Sequence, residues 1–415
     1  MRAGWANVNI TPVKPLPLMG WSGQKKLARD CKDNLEAGIL HFRSGNGGVI
    51  IIALDLFWLN PLFCRTLRKE IAKHTALNEA NVLITCTHNH SGPITDKLLG
   101  YLGDPAYAEP DMEYLDYLMG NVVASAAKAA ATTRDVEIAS LSFEIDFQHI
   151  NVDAILIRDA VTKEFVSAVI IMPVIPEFMG QSTEFSADYP GLLRNFLRKK
   201  IGNNINVLCM MSPYKDFTEH VVSYEKIVEE TATRIMFFLH SQEIKWTGGE
   251  VFFNGTIAEV KMEKAVFPSL WESKMKWAEL RHVYEKGSSL NDIEQLKAKK
   301  KAMEACSVMK YALAEQSGKI NSLLAEYLLQ DIQYLVIGDL YLLGMPGVLS
   351  NGYAEIIKKK FAQKLYIVTP ANGNVQGYMK TEMEINQPVK IVSPLSISSI
   401  DAMVEKAVTL LSKKN

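Results

Sequence analysis

The segment spanning residues 49–87 constrains the fold of this chain more than any other part of the sequence. Residues 49–56 and 81–87 are apolar runs typical of buried strands. Residues 61–76 between them have helical periodicity and a proline in the first turn. A strand, a helix and a second strand in this order form a βαβ unit with a right-handed crossover. The segment therefore predicts an α/β fold.

Strand-like and helix-like segments alternate through the rest of the chain. Residues 264–328 are rich in Glu, Lys, Ala and Met with apolar side chains at helical spacing, which predicts two or three inserted helices. We predict one α/β domain over residues 1–415, in which mixed β-sheet is layered with helices and carries this helical insertion. The other predicted strands are residues 136–145, 154–158, 166–175, 206–211, 251–262, 332–343 and 365–369, and the other predicted helices are residues 112–132, 189–201, 219–239, 351–362 and 399–411.

Composition and charge exclude some classes of partner. The chain is 48% hydrophobic and 22% charged, with a formal net charge of −1. A surface with nearly equal numbers of positive and negative charges binds neither nucleic acid nor an anionic membrane strongly. No apolar run reaches the roughly 20 residues that a membrane-spanning helix needs. We expect no nucleic-acid partner and no membrane span, whereas a small-molecule or lipid-like ligand stays open and the sequence does not set the oligomeric state.

The cysteines and the first residues bear on the cellular compartment. The cysteines are odd in number and widely spaced, so they form neither a disulfide framework nor a zinc knuckle. Met1 leads directly into the segment around Val8 without a signal peptide. We expect a cytoplasmic location, although the same start is compatible with a trimmed leader. The five cysteines are Cys31, Cys64, Cys86, Cys209 and Cys306.

Two histidines close the second strand of the βαβ unit. His88 and His90 are followed by Ser91, Gly92 and Pro93, which turn the chain sharply. The carboxyl ends of strands are where α/β folds place their chemistry, and neutral imidazole is the commonest metal ligand. The pair is equally compatible with two polar residues bonded to backbone, because a zinc site needs further ligands from elsewhere.

A series of short motifs runs along the chain. They are Val8-Asn-Ile-Thr-Pro12, Gly20-Trp-Ser-Gly23, Asp33-Asn-Leu, Val49-Ile-Ile-Ile-Ala-Leu-Asp55, Thr87-His-Asn-His-Ser-Gly-Pro93, Ser186-Ala-Asp-Tyr-Pro-Gly191, Gly344-Met-Pro-Gly347 and Asn372-Gly-Asn-Val-Gln-Gly-Tyr378. In this order and spacing they resemble the catalytic domain of the neutral/alkaline (non-lysosomal) ceramidases and their bacterial relatives, over residues 8–381. The resemblance implies a zinc-dependent amidohydrolase fold, in which zinc polarises an amide of an N-acyl sphingolipid and activates water.

The resemblance also implies a partial set of zinc ligands. His88 and Tyr378 match two ligands of the family, and His90 matches a histidine beside the reacting centre, which makes it a catalytic candidate. For Tyr378 the alternative is a buried tyrosine that is bonded to a backbone carbonyl. Asn89, Asp188 and Asn372 are expected in the pocket, and Asp188 is also expected to cap the helix that Pro190 opens.

Two other ligands of the family are missing. Its second zinc histidine falls at Ile175, and its carboxylate ligand falls at Val348. Neither side chain can bind a metal, and a catalytic zinc needs three protein ligands, so we expect zinc to be absent or weakly bound. Glu177, two residues from Ile175, is a candidate replacement ligand in the pocket.

Ser212 is a second catalytic candidate with a weakened setting. The family has Gly-Asp where this chain has Cys209 and Met210. Without that acid, and without zinc or a basic partner, the hydroxyl has nothing to activate it. A structural serine is the alternative interpretation of Ser212.

Two functions remain consistent with this sequence. The first is a ceramidase-like protein with impaired or altered catalysis, which binds a ligand or partner through the old pocket. The second is an active amidohydrolase that acts on an N-acyl lipid or another small amide with a rearranged metal site. The apolar residues Ile175 and Val348 favour the first.

Overall fold

Two β-sheets lie face to face in this protein and carry helices on their outer sides. The computed structural model describes residues 1–19, 27–45, 47–103, 108–146, 149–180, 182–202, 204–214, 223–286, 292–384, 389 and 391–412. Within these ranges the longer strands are β1 (Arg2–Asn9), β2 (Glu36–Ser44), β3 (Gly47–Leu54), β4 (Val82–Cys86), β5 (Arg134–Ile145), β6 (Ile150–Asp159), β7 (Phe165–Met172), β8 (Asn206–Met211), β9 (Phe253–Lys261), β10 (Leu329–Ile337), β11 (Leu340–Gly344) and β12 (Leu365–Val368).

Each long sheet mixes parallel and antiparallel neighbours. The first sheet has the strand order β8-β7-β6-β5-β1-β2-β3-β4, and the second has the order β9-β10-β11-β12. The pairs β3/β4, β7/β8 and β11/β12 are parallel, and the other neighbours are antiparallel. The predicted α/β fold with mixed sheets is therefore confirmed.

Helices cover the outer faces of both sheets. Alternate residues of a strand point to opposite faces, so Leu40 of β2 shares the inter-sheet core with Leu335 of β10, while its neighbour Ile39 faces helices. The helices are α1 (Pro61–Thr75), α2 (Met112–Ala131), α3 (Asp188–Ile201), α4 (Tyr224–His240), α5 (Leu270–Lys286), α6 (Asp292–Gln316), α7 (Ile320–Leu324), α8 (Asn351–Lys358) and α9 (Ile397–Ser412). Helices α1 and α2 pack on β1–β4, α3 and α4 pack on β6–β8, and α8 and α9 pack on the second sheet.

Short elements connect these layers. Several short strand pairs fasten one loop to another without extending either of the two long sheets. The short strands are Leu16–Pro17, Leu27–Ala28, Asp30–Cys31, Glu184–Phe185, Val348–Leu349 and Tyr378–Met379, and the 3-10 turns are Glu79–Asn81, Leu99–Tyr101, Ala325–Tyr327 and Glu382–Glu384.

Some predicted boundaries are wrong. The predicted strand 332–343 is two strands, β10 and β11, because Gly338 has φ 58° and makes a tight turn between them. The predicted strand 166–175 ends at Met172, which leaves Ile175 in the following loop. Strands β1 and β2 were not predicted at all. Residues 219–222 of the predicted helix 219–239, and the motif at 20–23, lie outside the described residues.

The predicted helical insertion lies between β9 and β10. These two strands pair antiparallel over their whole length, and α5, α6 and α7 occur in the chain between them. Helices α5 and α6 pack on each other. That residues 1–415 form a single domain stays a prediction. In the part of the chain that the structure describes, no helix has both the length and the apolar character needed to cross a bilayer.

His41 on β2 is an ionisable group in the apolar interior. Only 4% of the residue is exposed, and neither ring nitrogen has a hydrogen-bond partner among the described residues. Burial, with a smaller contribution from the charge of Arg43, lowers the pKa of His41 from 6.5 to about 4. The folded protein therefore holds this ring neutral at neutral pH.

Acidification is expected to destabilise the fold through His41. The unfolded chain takes up the proton near pH 6.5 and the folded protein only near pH 4, so stability is lost as the pH falls between these values. The contribution of this one group is about 3 kcal/mol. Urea unfolding at about pH 7 and about pH 4 measures it, and His41→Leu should show a smaller pH dependence. Identical pH dependence in both proteins would assign the effect to other groups.

Candidate functional site

The loop after β4 carries both histidines into the protein interior. The backbone N–H of Thr87 donates to the carbonyl of Leu54 at 2.9 Å, which prolongs the pairing of β3 with β4. His88 has a left-handed backbone, with φ 62°. This conformation is uncommon outside glycine and recurs at functional sites. His88 and His90 are both buried, at 0% and 1% exposure.

His88 and Tyr378 hydrogen-bond to each other. Nδ1 of His88 lies 3.1 Å from the carbonyl oxygen of Phe57, which assigns the ring proton to Nδ1. Nε2 then accepts a hydrogen bond from the Tyr378 hydroxyl at 3.3 Å. The Phe57 ring stacks on the imidazole, with centroids 4.0 Å apart. Two residues that the sequence predicts as zinc ligands thus lie together, and the atoms that would bind zinc are directed at each other.

Apolar side chains adjoin Tyr378. Val348 is fully buried and pairs with Tyr378 in a short parallel strand pair. Ile175 packs against the same apolar cluster. The ring of Tyr214 meets Tyr378 edge-on, with centroids 5.2 Å apart. The two positions that the resemblance equates with further zinc ligands therefore carry hydrocarbon, with Val348 beside Tyr378 and Ile175 against the same apolar cluster.

This set of side chains does not fit a zinc ion. Zinc in proteins takes three or four nitrogen, oxygen or sulfur ligands, and Ile175 and Val348 supply none. Over the described ranges, no group of three or more His, Cys, Asp or Glu side chains is placed to hold a metal ion. No metal-dependent step is therefore assigned to this site.

His90 lies next to a carboxylate. Its Nε2 is 3.9 Å from Oε2 of Glu177, which is longer than a hydrogen bond. The backbone N–H of His90 donates to the carbonyl of Pro176 at 3.0 Å, so that the two loops are joined. The rings of His88 and His90 are perpendicular, with centroids 5.3 Å apart. Glu177 thus lies beside the histidines, and its role as a replacement ligand stays a prediction.

Asn89 holds the loop that carries the two histidines through hydrogen bonds to backbone groups. Its Nδ2 donates to the carbonyl oxygens of Ser186, at 2.7 Å, and Asp55, at 3.2 Å. Its Oδ1 accepts a hydrogen bond from the N–H of Ser91 at 3.0 Å. A buried side chain bonded in this way to three backbone groups positions the histidines on either side of it.

Asp188 organises the start of α3, where it is the first helical residue and not, as predicted, the residue before the helix. The helix begins at Asp188 itself, which has a left-handed φ of 57°. Its Oδ2 accepts hydrogen bonds from the N–H groups of Phe178 and Met179, at 2.8 and 3.0 Å. The carboxylate therefore holds the loop that follows Glu177, and its Oδ1 also accepts a hydrogen bond from the N–H of Tyr189 at 2.7 Å, in the first turn of α3. Burial raises the pKa of Asp188 to about 6, and these N–H donors oppose the shift.

Asn372 and Ser212 bind to strands near the site. Nδ2 of Asn372 donates to Oε1 of Gln333 at 2.8 Å, and its backbone N–H donates to the carbonyl of Ile84 at 2.8 Å. The N–H of Ser212, just after β8, donates to the carbonyl of Met172 at 3.0 Å. Their predicted roles in the pocket and in catalysis stay predictions.

Sequence reasoning missed Asp96, which anchors the motif that leads to Tyr378. Nδ2 of Asn374 and the hydroxyl of Tyr327 both donate to this carboxylate at 2.8 Å, and Gln376 donates at 3.3 Å. Burial raises the pKa of Asp96 to about 6, and the hydrogen bonds from Asn374 and Tyr327 oppose the shift. No local pattern around residue 96 signals a carboxylate that joins three distant segments.

An apolar cavity of about 470 Å³ opens beside Tyr378. Phe267 and Val308, from the insertion, line one part of it, and Leu395 and Ile400, near the carboxyl end, line another. Its volume is typical of sites for small molecules. The cavity adjoins the His88–Tyr378 pair because Tyr378 belongs to both.

Two solved ceramidase structures are similar to this one. The neutral ceramidase from Pseudomonas aeruginosa matches with a TM-score of 0.69 and 14% identity, over 99% of this chain and 74% of that one. The chain has a ceramidase-like fold. A ceramidase complexed with C2 matches with a TM-score of 0.68 and 13% identity, over 99% and 75% of the two chains. No protein-family model and no curated protein matches the sequence.

The ceramidase-like fold agrees with the resemblance that the motifs indicate. At this level of identity the agreement concerns the fold and not the activity. The loss of the metal site and the chemistry of this chain are therefore matters for proposal.

Proposed function

We propose that this protein is a ligand-binding relative of the neutral ceramidases that has lost zinc-dependent amide hydrolysis. The observation that carries the proposal is the position of Ile175 and Val348. Val348 pairs with Tyr378, which itself hydrogen-bonds to His88, and Ile175 packs against the apolar cluster that contains Val348 and Tyr378. Hydrocarbon at these two positions removes half of a four-ligand zinc site, and the pair that is left satisfies itself with a hydrogen bond.

The remaining polar groups do not replace the missing chemistry. In zinc-dependent amide hydrolysis the metal ion polarises the carbonyl and activates water at neutral pH, so a site without the ion loses both effects. Ser212 has Met210 two residues before it, where the family carries an acid, so its hydroxyl lacks that partner. The fold is similar to that of the ceramidases and a cavity opens beside Tyr378, which supports binding without turnover.

One observation supports the alternative function. Glu177 lies 3.9 Å from Nε2 of His90, so a rearranged metal site would have a carboxylate close to the two histidines. An active amidohydrolase of an N-acyl lipid or another small amide would then use His88, His90, Tyr378 and Ser212, with Glu177 as a replacement metal ligand. Binding and turnover of zinc-loaded protein separate this alternative from the proposal.

We expect far less than one zinc ion per chain in protein purified without chelator. Elemental analysis after dialysis measures this content. We also expect a chelator to leave the melting temperature unchanged, because Ile175 and Val348 make no metal bonds. The fully buried Val348 contributes apolar packing of about 1.5–3 kcal/mol, and the partly buried Ile175 contributes less. A full equivalent of zinc that survives dialysis, or a large drop in melting temperature with chelator, would contradict the proposal.

The natural sequence is expected to release no fatty acid from ceramide or from short N-acyl amides, with or without added zinc. Product analysis by mass spectrometry after long incubation tests this expectation. The His88→Ala variant is the matched control, since any slow hydrolysis that it retains comes from elsewhere. Zinc-dependent turnover that His88→Ala abolishes would refute the non-catalytic proposal and leave the active amidohydrolase.

A further inference from the structure

Two arginines of α1 converge on one buried carboxylate of β10. Nε and Nη2 of Arg65 donate to the two oxygens of Asp331 at 3.0 and 2.8 Å. Nη2 of Arg68 donates to Oδ2 of the same carboxylate. The side chains of Arg68 and Asp331 are each only 3% exposed, whereas that of Arg65 is 28% exposed. One carboxylate thus serves two guanidinium groups where α1 meets β10.

Most of the Arg68 guanidinium lacks a hydrogen-bond acceptor. Its Nε and Nη1 are buried and have no partner on any residue that the structure describes. These two nitrogens carry three of the five N–H donors of an arginine. Asp96, another buried carboxylate of this region, accepts its hydrogen bonds from Asn374 and Tyr327 instead. Buried donors of native proteins are satisfied by protein, water or an ion, so the Arg68 donors indicate a bound ligand.

The charges around Arg68 favour an anionic ligand. Two guanidinium groups face the single buried carboxylate of Asp331. Glu259 lies 3.9 Å from Arg65, but its side chain is 64% exposed, so water screens its charge. Cys64 lies one turn before Arg68 on the buried face of α1, and burial raises the pKa of its thiol to about 12, which keeps it neutral. A buried cation that is not matched by an anion is costly, and a bound anion removes this cost.

We propose that a chloride ion binds at Nε and Nη1 of Arg68 and stabilises the packing of α1 on β10. A halide ion accepts N–H donors from several directions, and its charge offsets that of the guanidinium, which a water molecule cannot do. Sulfate and phosphate carry four oxygens, more than three buried N–H groups can satisfy. The inference is independent of the proposed function, because neither arginine belongs to the candidate functional site.

Thermal unfolding of the full chain in sodium chloride and in sodium gluconate tests the proposal. Equal ionic strength makes the screening of surface charges the same in both salts. The Arg68→Met variant supplies the baseline for other differences between the two salts. An ion that binds only the folded protein raises the melting temperature. On changing from gluconate to chloride at about 0.1 M, we expect the natural protein to gain about 2 °C relative to this variant.

Other variants separate the contribution of the donors from that of the charge. Arg68→Met leaves Asp331 paired with Arg65 through two hydrogen bonds, so we expect it to fold. Arg65→Met keeps the donors of Arg68 but leaves one guanidinium for one carboxylate, so the response to chloride should become smaller. Lys276→Met and Arg281→Met remove cations of α5 that are paired with glutamates and more than half exposed, and both should keep the full response.

Crystals of the natural protein grown in sodium bromide locate the ion without recourse to any variant. We expect an anomalous scattering peak within hydrogen-bond distance of Nε and Nη1 of Arg68. A response of the natural protein to chloride no larger than that of Arg68→Met would overturn the proposal. Electron density for water alone beside Arg68 would overturn it as well.

Discussion

Protein that carries Ile175→His together with Val348→Glu is expected to retain about one zinc ion per chain after dialysis. Val348 pairs with Tyr378, whose hydroxyl lies 3.3 Å from Nε2 of His88, and Ile175 packs against the apolar cluster that contains them. The two changes add a nitrogen and a carboxylate to these donors, and four such ligands are what a zinc ion takes in proteins. Elemental analysis beside the natural sequence, purified identically, gives the comparison.

Controls separate a restored site from nonspecific binding. His88→Ala added to the double variant should lose the metal again, whereas Ile175→Asn with Val348→Gln adds polarity without a comparable ligand set. Before metal is added, the double variant should melt at a lower temperature than the natural protein, because unpaired polar groups are then buried. Zinc should raise that melting temperature, since a ligand that binds the folded state stabilises it. Zinc that the additional His88→Ala change leaves in place would show that the ion is bound elsewhere.

Replacing Arg194 with methionine is expected to lower the free energy of unfolding by about 3–5 kcal/mol. Nη2 of Arg194, on α3, lies 2.5 Å from Oδ2 of Asp55, and the two side chains are 4% and 2% exposed. Burial disfavours the charged guanidinium, but Asp55 and Glu36 outweigh it and raise the pKa of Arg194. Removing the cation leaves the Asp55 carboxylate buried without its partner. Urea unfolding at neutral pH measures the loss.

The double variant Arg194→Met with Asp55→Asn should recover part of this stability, because no unpaired charge then remains in the interior. Lys276→Met is the matched control, and we expect it to change stability by no more than about 0.5 kcal/mol, since exposed ion pairs contribute little. A loss below about 1 kcal/mol for Arg194→Met would show that the interior tolerates the Asp55 carboxylate alone.

The sequence predicts those elements of the fold whose own residues determine them. The bounds of β8 agree with the predicted strand 206–211, because a short run of large apolar residues is typical of a buried strand. Strand β1 was missed, since its buried positions include Ala3, Gly4 and Ala6, residues with little intrinsic preference for strands. Its conformation depends on β2 and β5, its partners in the sheet.

The candidate functional site, like the fold, could be predicted from the sequence only in part. The motifs identified His88 and Tyr378, and the structure joins them across 290 positions of the chain. Phe57, which stacks on His88, and Asp96, which anchors the motif that leads to Tyr378, were not predicted. Contacts such as these arise when distant segments meet in the folded protein, and no local spacing in the sequence encodes them.

The pairing of β9 with β10 has a consequence for how this architecture can vary. Phe253 lies opposite Ile337 at one end, and Lys261 lies opposite Leu329 at the other, so the chain leaves the sheet and returns to a neighbouring point. The strand pair thus holds together the two ends of the segment between β9 and β10. The entropy lost when such a segment is closed grows only slowly with its length. Residues 262–328 can therefore diverge in length and sequence, and so reshape one wall of the cavity, without disturbing the register of the sheet. One wall of the cavity can in this way change while the paired strands stay as they are.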